Sequence, residues 1–133
     1  MKSQKLNNET RGIQSVERAL KIIEVLSKGN GSSAFEGISL GSIAKDTKLN
    51  ISTCHHIIRT LLQKGYVSQN SPGGAYFLGG KVQELSSSRA IQFSLAETSM
   101  PELRKLNSLT GENVHLAVMQ GNELSILTNL RSL

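Results

Sequence analysis

Residues 39–65 read SLGSIAKDTKLNISTCHHIIRTLLQKG, and this stretch decides the fold. Ser39 precedes Leu40, Ile43 and Ala44, which fall on one helical face. A serine oxygen in that position satisfies an otherwise unpaired N–H of the first turn, so a short capped helix is predicted. Thr47-Lys48-Leu49 makes a tight turn with Leu49 directed inward. Asn50 caps a further helix over Ile51 to Lys64, and Gly65 ends it. Two short helices on a tight turn form a helix-turn-helix pattern.

Upstream, Val16, Ala19, Leu20, Ile23 and Leu26 recur at helical spacing, widened by Ile22 and Val25. Ser15 is the expected N-cap of this first helix and Gly29 its stop. Residues 1–12 are polar and read as a disordered arm. Asn30 to Gly37 is Gly- and Ser-rich and reads as a loop, with Ile38 able to form a short strand. Downstream, Tyr66-Val67-Ser68-Gln69 and Ala75-Tyr76-Phe77-Leu78 flank Asn70-Ser71-Pro72-Gly73-Gly74. β-prone runs around turn-forming residues predict a hairpin. A hairpin directly after the third helix makes a winged helix-turn-helix, assigned to residues 13–80.

Lys81 to Leu95 is expected to form one thinly amphipathic helix, and residues 81–98 are assigned as a linker or dimer contact. Ser99-Met100-Pro101-Glu102 carries the signature of a new helix start, a capping box with proline in the first turn. Leu103, Leu106 and Leu109 follow, and Thr110-Gly111 ends the helix. Gly121-Asn122 then separates Asn113–Met119 from Glu123–Leu130, a second hairpin signal. Val114, Leu116, Val118, Leu124, Ile126 and Leu130 are expected to line one face that needs covering. Residues 99–133 read as the beginning of a second domain, too little to bury a core of its own. The fold class is thus mainly α with small β: a winged helix-turn-helix, a linker helix, and a helix plus hairpin that opens an α/β domain.

The composition agrees with this reading. The chain has 133 residues, 38% hydrophobic and 19% charged, as in ordinary globular proteins. No apolar run approaches the length of a membrane span, and the polar N-terminus lacks a signal-peptide core, so a cytoplasmic protein is expected. The net charge is +5, and its distribution is uneven. Ten of the fifteen Lys and Arg residues, but five of the ten acids, lie in the first eighty positions. A basic N-terminal half suits a polyanion. With aromatics at 4% and no Trp, stacking on single strands is disfavoured, leaving double-stranded DNA as the expected partner.

On a helical wheel, Cys54, Ile58 and Leu61 form the apolar stripe of the third helix, flanked by Ile51, Ile57 and Leu62. Ser52, His56, Arg59, Thr60 and Gln63 fall opposite, with Thr53 nearby and His55 at the boundary. The assigned DNA-contact set takes Ser52, Thr53, His55, His56, Arg59 and Thr60 from this helix, together with Arg18, Ser39 and Asn50. Asn70, Ser71, Gly73 and Gly74 are assigned to the wing. Hydroxyls reach phosphates or base edges, and His and Arg donate to purine acceptors.

No metal or cofactor is expected. His55 and His56 are adjacent, so their side chains diverge by about 100° on a helix and cannot share an ion. A single cysteine excludes a multi-thiolate site and an internal disulfide. No P-loop, GxSxG or HExxH occurs, so no enzyme is indicated.

The motifs, taken in order, also carry a resemblance. Gln14-Ser15-Val16-Glu17-Arg18-Ala19-Leu20, Leu49-Asn50-Ile51-Ser52-Thr53-Cys54-His55, Gly65-Tyr66-Val67 and Tyr76-Phe77-Leu78-Gly79 are followed by Pro101-Glu102-Leu103, Leu106 and Thr110-Gly111-Glu112-Asn113-Val114-His115-Leu116-Ala117-Val118. Together they resemble the IclR (isocitrate lyase regulator) family of prokaryotic transcription regulators, from about Gly12 to the end of the chain. The resemblance implies promoter binding as a homodimer or higher oligomer, usually at metabolic or catabolic genes. It also implies a C-terminal effector-binding domain for small, often carboxylic, metabolites, of which this chain would hold only the start. Three positions depart from the pattern. His56 stands where the family usually carries Arg, the wing tip from Asn70 to Gly74 lacks Lys and Arg, and Lys48 occupies a turn position where the family favours Gly. The rival reading is a truncated dimerisation module that modulates a full-length regulator without binding DNA tightly.

Overall fold

The computed structural model describes residues 11–29 and 36–132. Residues 1–10 of the expected arm and most of the Asn30–Gly37 loop lie outside the described residues. Among the described residues there are five helices: α1 (Gln14–Lys28), α2 (Leu40–Thr47), α3 (Ile51–Lys64), α4 (Gly80–Ser86) and α5 (Arg89–Thr110). Four strands form two separate antiparallel pairs, β1 (Val67–Gln69) with β2 (Tyr76–Leu78), and β3 (Val114–Gln120) with β4 (Glu123–Leu130). The chain divides into two compact units, the first ending at Val82 and the second beginning at Gln83.

The first unit is organised around the apolar stripes of its three helices. Ile22 and Leu26 of α1, Ile43 and Ala44 of α2, and Cys54, Ile58 and Leu61 of α3 meet Ile38, Val67 and Tyr76 in one buried cluster. Ile22, Ile43, Ile58 and Cys54 are sealed from solvent, as the wheel of α3 predicts for its last two. Ile51, at the start of α3, departs from that wheel and is exposed. Both cap assignments of the helix-turn-helix hold. Ser39 Oγ accepts from Ser42 N at 3.2 Å, and Asn50 Oδ1 accepts from Thr53 N at 2.7 Å. Ser15 does not cap α1. The helix starts two residues earlier than such a cap implies, with Ile13 at the N-cap and no side-chain cap bond.

The turn between α2 and α3 is held by its backbone. Lys48 N–H donates to the Ala44 and Lys45 carbonyls, and Leu49 N–H to Ala44 O. The same turn puts Lys48 in the left-handed region, at φ 57° and ψ 34°. In the wing, Val67 pairs with Leu78 and Gln69 with Tyr76. Ile38 adds a bridge to Tyr76 through two hydrogen bonds of 2.9 and 2.8 Å, as expected for a short strand there.

The second unit differs most from expectation. Ser99 is not a helix start. Its Oγ donates back to Leu95 O at 2.7 Å, and α5 runs unbroken from Arg89 to Thr110 with Pro101 inside it. The break falls instead at Ser87–Ser88, where Ser88 Oγ accepts from Ile91 N and caps α5. The expected single helix over Lys81–Leu95 and the helix start at Ser99 are therefore corrected. An interior serine can bond to the carbonyl one turn back, so Ser-x-x-Glu marks a start only where the serine leaves helical geometry.

The hairpin closes through Gly121 at positive φ, the glycine-first pattern of a tight two-residue loop. Its apolar face is not the alternating set read from the sequence. Leu116 pairs with Thr128 but Ala117 with Ile126, so Leu127 is an extra residue at a bulge. A bulge shifts the alternation by one. Leu130 keeps register with Val114, whereas Leu124 and Ile126 pair with Met119 and Ala117 and are exposed. Val114 and Leu103 are buried on the side that α5 covers. Asn107, also buried, donates from Nδ2 to Glu112 O at 2.8 Å and Arg131 O at 2.9 Å, tying helix to hairpin.

Candidate nucleic-acid interface

The assigned contact residues can now be placed. On α3, with its N-terminus capped by Asn50 and its apolar side locked by Cys54, Ile58 and Leu61, the residues Ser52, His55, His56, Arg59 and Thr60 are exposed, and Thr53 is half-buried. The capping bond orients the free N–H groups of the first turn outward, where they favour an anion. Ser39 and Asn50 are exposed but engaged as caps, so their backbone positions and remaining lone pairs are what they offer. Arg18 is half-buried on α1.

The α3 face is not uniform. His56 and Thr60 border a groove of about 550 Å³ whose other wall is Val16, Ala19, Leu20 and Ile23 of α1, with Tyr66 at its end. Ser52, His55 and Arg59 stand outside that groove. The polar half of the wheel therefore splits into residues open to a partner along the helix and residues flanking an apolar hollow.

In the wing, Asn70, Ser71 and Gly73 are exposed, and Gly74 is half-buried. Gly74 N–H donates to Ser71 O at 2.9 Å, and its carbonyl accepts from Gln69 Nε2 at 2.9 Å. These bonds shape the tip without charge, since no Lys or Arg lies between Asn70 and Gly74. Charge comes from elsewhere. Between Asp46 and Glu84, a span that holds the turn, α3 and the wing, the chain has no carboxylate, while Lys48, Arg59, Lys64 and Lys81 are basic. The assigned set omitted Lys48 and Lys64; the acid-free run is the signal that points to them.

Burial pushes the Cys54 thiol above its usual range, consistent with a packing role. Among the described residues no three His, Cys, Asp or Glu side chains come together to hold a metal ion. No helix among them is long and apolar enough to cross a membrane.

Three stacked helices with a β-hairpin after the third define a winged helix-turn-helix unit. Residues 15–71 match the model of the IclR helix-turn-helix domain. The chain is 33% identical over 111 residues to the HTH-type transcriptional regulator XynR of Escherichia coli K12, covering 84% of this chain and 42% of that protein. It is 32% identical over 114 residues to the acetate operon repressor of Salmonella typhimurium, covering 86% and 40%. The fold resembles the crystal structure of an IclR family transcriptional regulator from Brucella abortus, with a TM-score of 0.57, 19% identity, and coverage of 91% of this chain and 44% of that one. The chain belongs to the IclR family. It spans less than half the length of the relatives it matches.

Proposed function

We propose that this chain acts as a sequence-specific, double-stranded-DNA-binding transcription regulator of the IclR type, controlling metabolic genes in the cytoplasm of a prokaryote and catalysing no reaction. The observation that carries the reading is α3: a capped, rigidly packed helix that presents Ser52, His55 and Arg59 outward from a stretch free of carboxylates. A helix so displayed fits the major groove, where Arg and His donate to guanine O6 and N7 and hydroxyls meet phosphate. Thr53, His56 and Thr60 complete the reading helix. Arg18, Ser39 and Asn50 are assigned to the backbone on either side, and Asn70, Ser71, Gly73 and Gly74 to the adjoining groove. With a neutral wing tip, most electrostatic affinity falls to α3 and the turn before it.

In this reading residues 13–80 are the DNA-binding domain, the helical segment after them a linker, and the residues from 99 onward part of an effector-binding domain. Promoter recognition then proceeds through a homodimer or higher oligomer on a two-fold operator, and a small-molecule effector modulates it. The test is binding to duplex DNA from the region upstream of the chain's own gene, followed across salt concentrations. Arg59→Ala should weaken specific binding by about 1–3 kcal/mol, as loss of a bidentate base contact does. Unchanged affinity in Arg59→Ala and His56→Ala, with the fold intact, refutes the assignment of this face.

A further inference from the structure

We propose that Lys48, in the turn between α2 and α3, is a DNA-phosphate contact, and that the ammonium is held there at the expense of local backbone stability. The inference rests on the DNA-binding reading above. Among the described residues, Lys48 is the only non-glycine residue at positive φ. A side chain in the left-handed region is disfavoured relative to glycine, which has no β-carbon to clash with the backbone. Among the described residues no side-chain hydrogen bond of Lys48 offsets that cost. Lys48 is exposed, while the turn is held by backbone bonds from Lys48 N–H to the Ala44 and Lys45 carbonyls and from Leu49 N–H to Ala44 O, and by the Thr47 hydroxyl, which donates to Ile43 O at 2.7 Å. Glycine would make the same bonds without strain.

What lysine adds is a charge at a defined place. Lys48 comes two residues before Asn50, whose side chain caps α3, so its Cα is fixed to the N-terminal end of that helix. This is the end that approaches the duplex if α3 enters the major groove. Lys48 also begins the acid-free run that continues through the wing. The wing tip itself carries no base, so a cation at the turn supplies backbone affinity that the hairpin does not.

The experiment compares the full chain with Lys48→Gly and Lys48→Arg by thermal melting and by anisotropy titration of a mixed-sequence duplex at several salt concentrations. Lys48→Gly should melt higher than the parent yet bind several-fold more weakly, with a log Kd against log salt slope shallower by about one. Lys48→Arg should retain both affinity and slope. A purely structural residue would show the higher melting point with unchanged binding, and that result overturns the inference while leaving the DNA-binding reading intact. Failure of the parent chain to bind duplex DNA at low salt overturns both.

Discussion

Gly79 offers a sharp test of how the wing is attached. A β-carbon at this position would lie 2.2 Å from Gly65 O, 2.8 Å from Gly65 C and 2.9 Å from Val67 N. These are backbone atoms at the junction of α3 and β1, so no flexible side chain can swing away. Ordinary carbon contacts begin near 3.5 Å, so the strands must part by roughly an ångström. That movement stretches two hydrogen bonds that close the wing, Gly79 N–H to Tyr66 O at 2.9 Å and Lys81 N–H to Gly65 O at 3.1 Å. Each contributes about 0.5–1.5 kcal/mol, and overpacking adds about 1–3 kcal/mol. Gly79→Ala should therefore destabilise the first unit by about 2–6 kcal/mol. For a domain of this size that lowers the midpoint by more than about 10 °C.

Gly80 is the internal control. A β-carbon there meets nothing within 4 Å, and the residue opens α4. Gly80→Ala should be neutral or stabilising by up to about 1 kcal/mol. Urea unfolding of both variants, followed by far-ultraviolet circular dichroism, gives the comparison. A Gly79→Ala variant within 1 kcal/mol of the parent would show that the β1–β2 wing is not pinned to the end of α3 as described.

Leu61→Ala should cost about 2–5 kcal/mol, since Leu61 packs in the core cluster of α3; an unresolvable change in melting midpoint would place the stripe on the wrong side. Asn107→Leu should strand the Glu112 and Arg131 carbonyls and cost about 2–3 kcal/mol, read as faster amide exchange from Val114 to Gln120. The Cys54 thiol should react with a thiol reagent only on unfolding, because the side chain is sealed in the core. Its pKa is raised in the folded state, so the linked stability is fully present below the unfolded thiol pKa. That stability should decline as pH climbs above it, and alkaline melts would check the sign.

The elements legible in the sequence are those whose causes are local. Ser39 and Asn50 cap helices because a side-chain oxygen reaches an N–H three residues on, a relation contained within one turn. The stripe Cys54, Ile58 and Leu61 follows from helical periodicity, and the two-residue loop at Gly121 from the freedom of glycine at positive φ. Identity of the site helix, the wing and the uneven charge needed nothing more.

Other features could not be read from a single local rule. The pattern Ser99-x-x-Glu102 satisfies the local rule for a helix start, yet α5 passes through it, because Ser88 caps the helix and Ser99 bonds backward to Leu95. The bulge at Leu127 turned Leu124 and Ile126 to the outer face; register is a property of two strands, and alternation within one cannot reveal it. Likewise, a helical wheel places His56 and Thr60 among the polar residues of α3, but only the packing of α1 shows that they border a groove and Arg59 does not. Capping and periodicity act over a few residues and are written in the sequence. Register and which polar residues stay open are set when separate elements pack against one another, and the tertiary structure decided them.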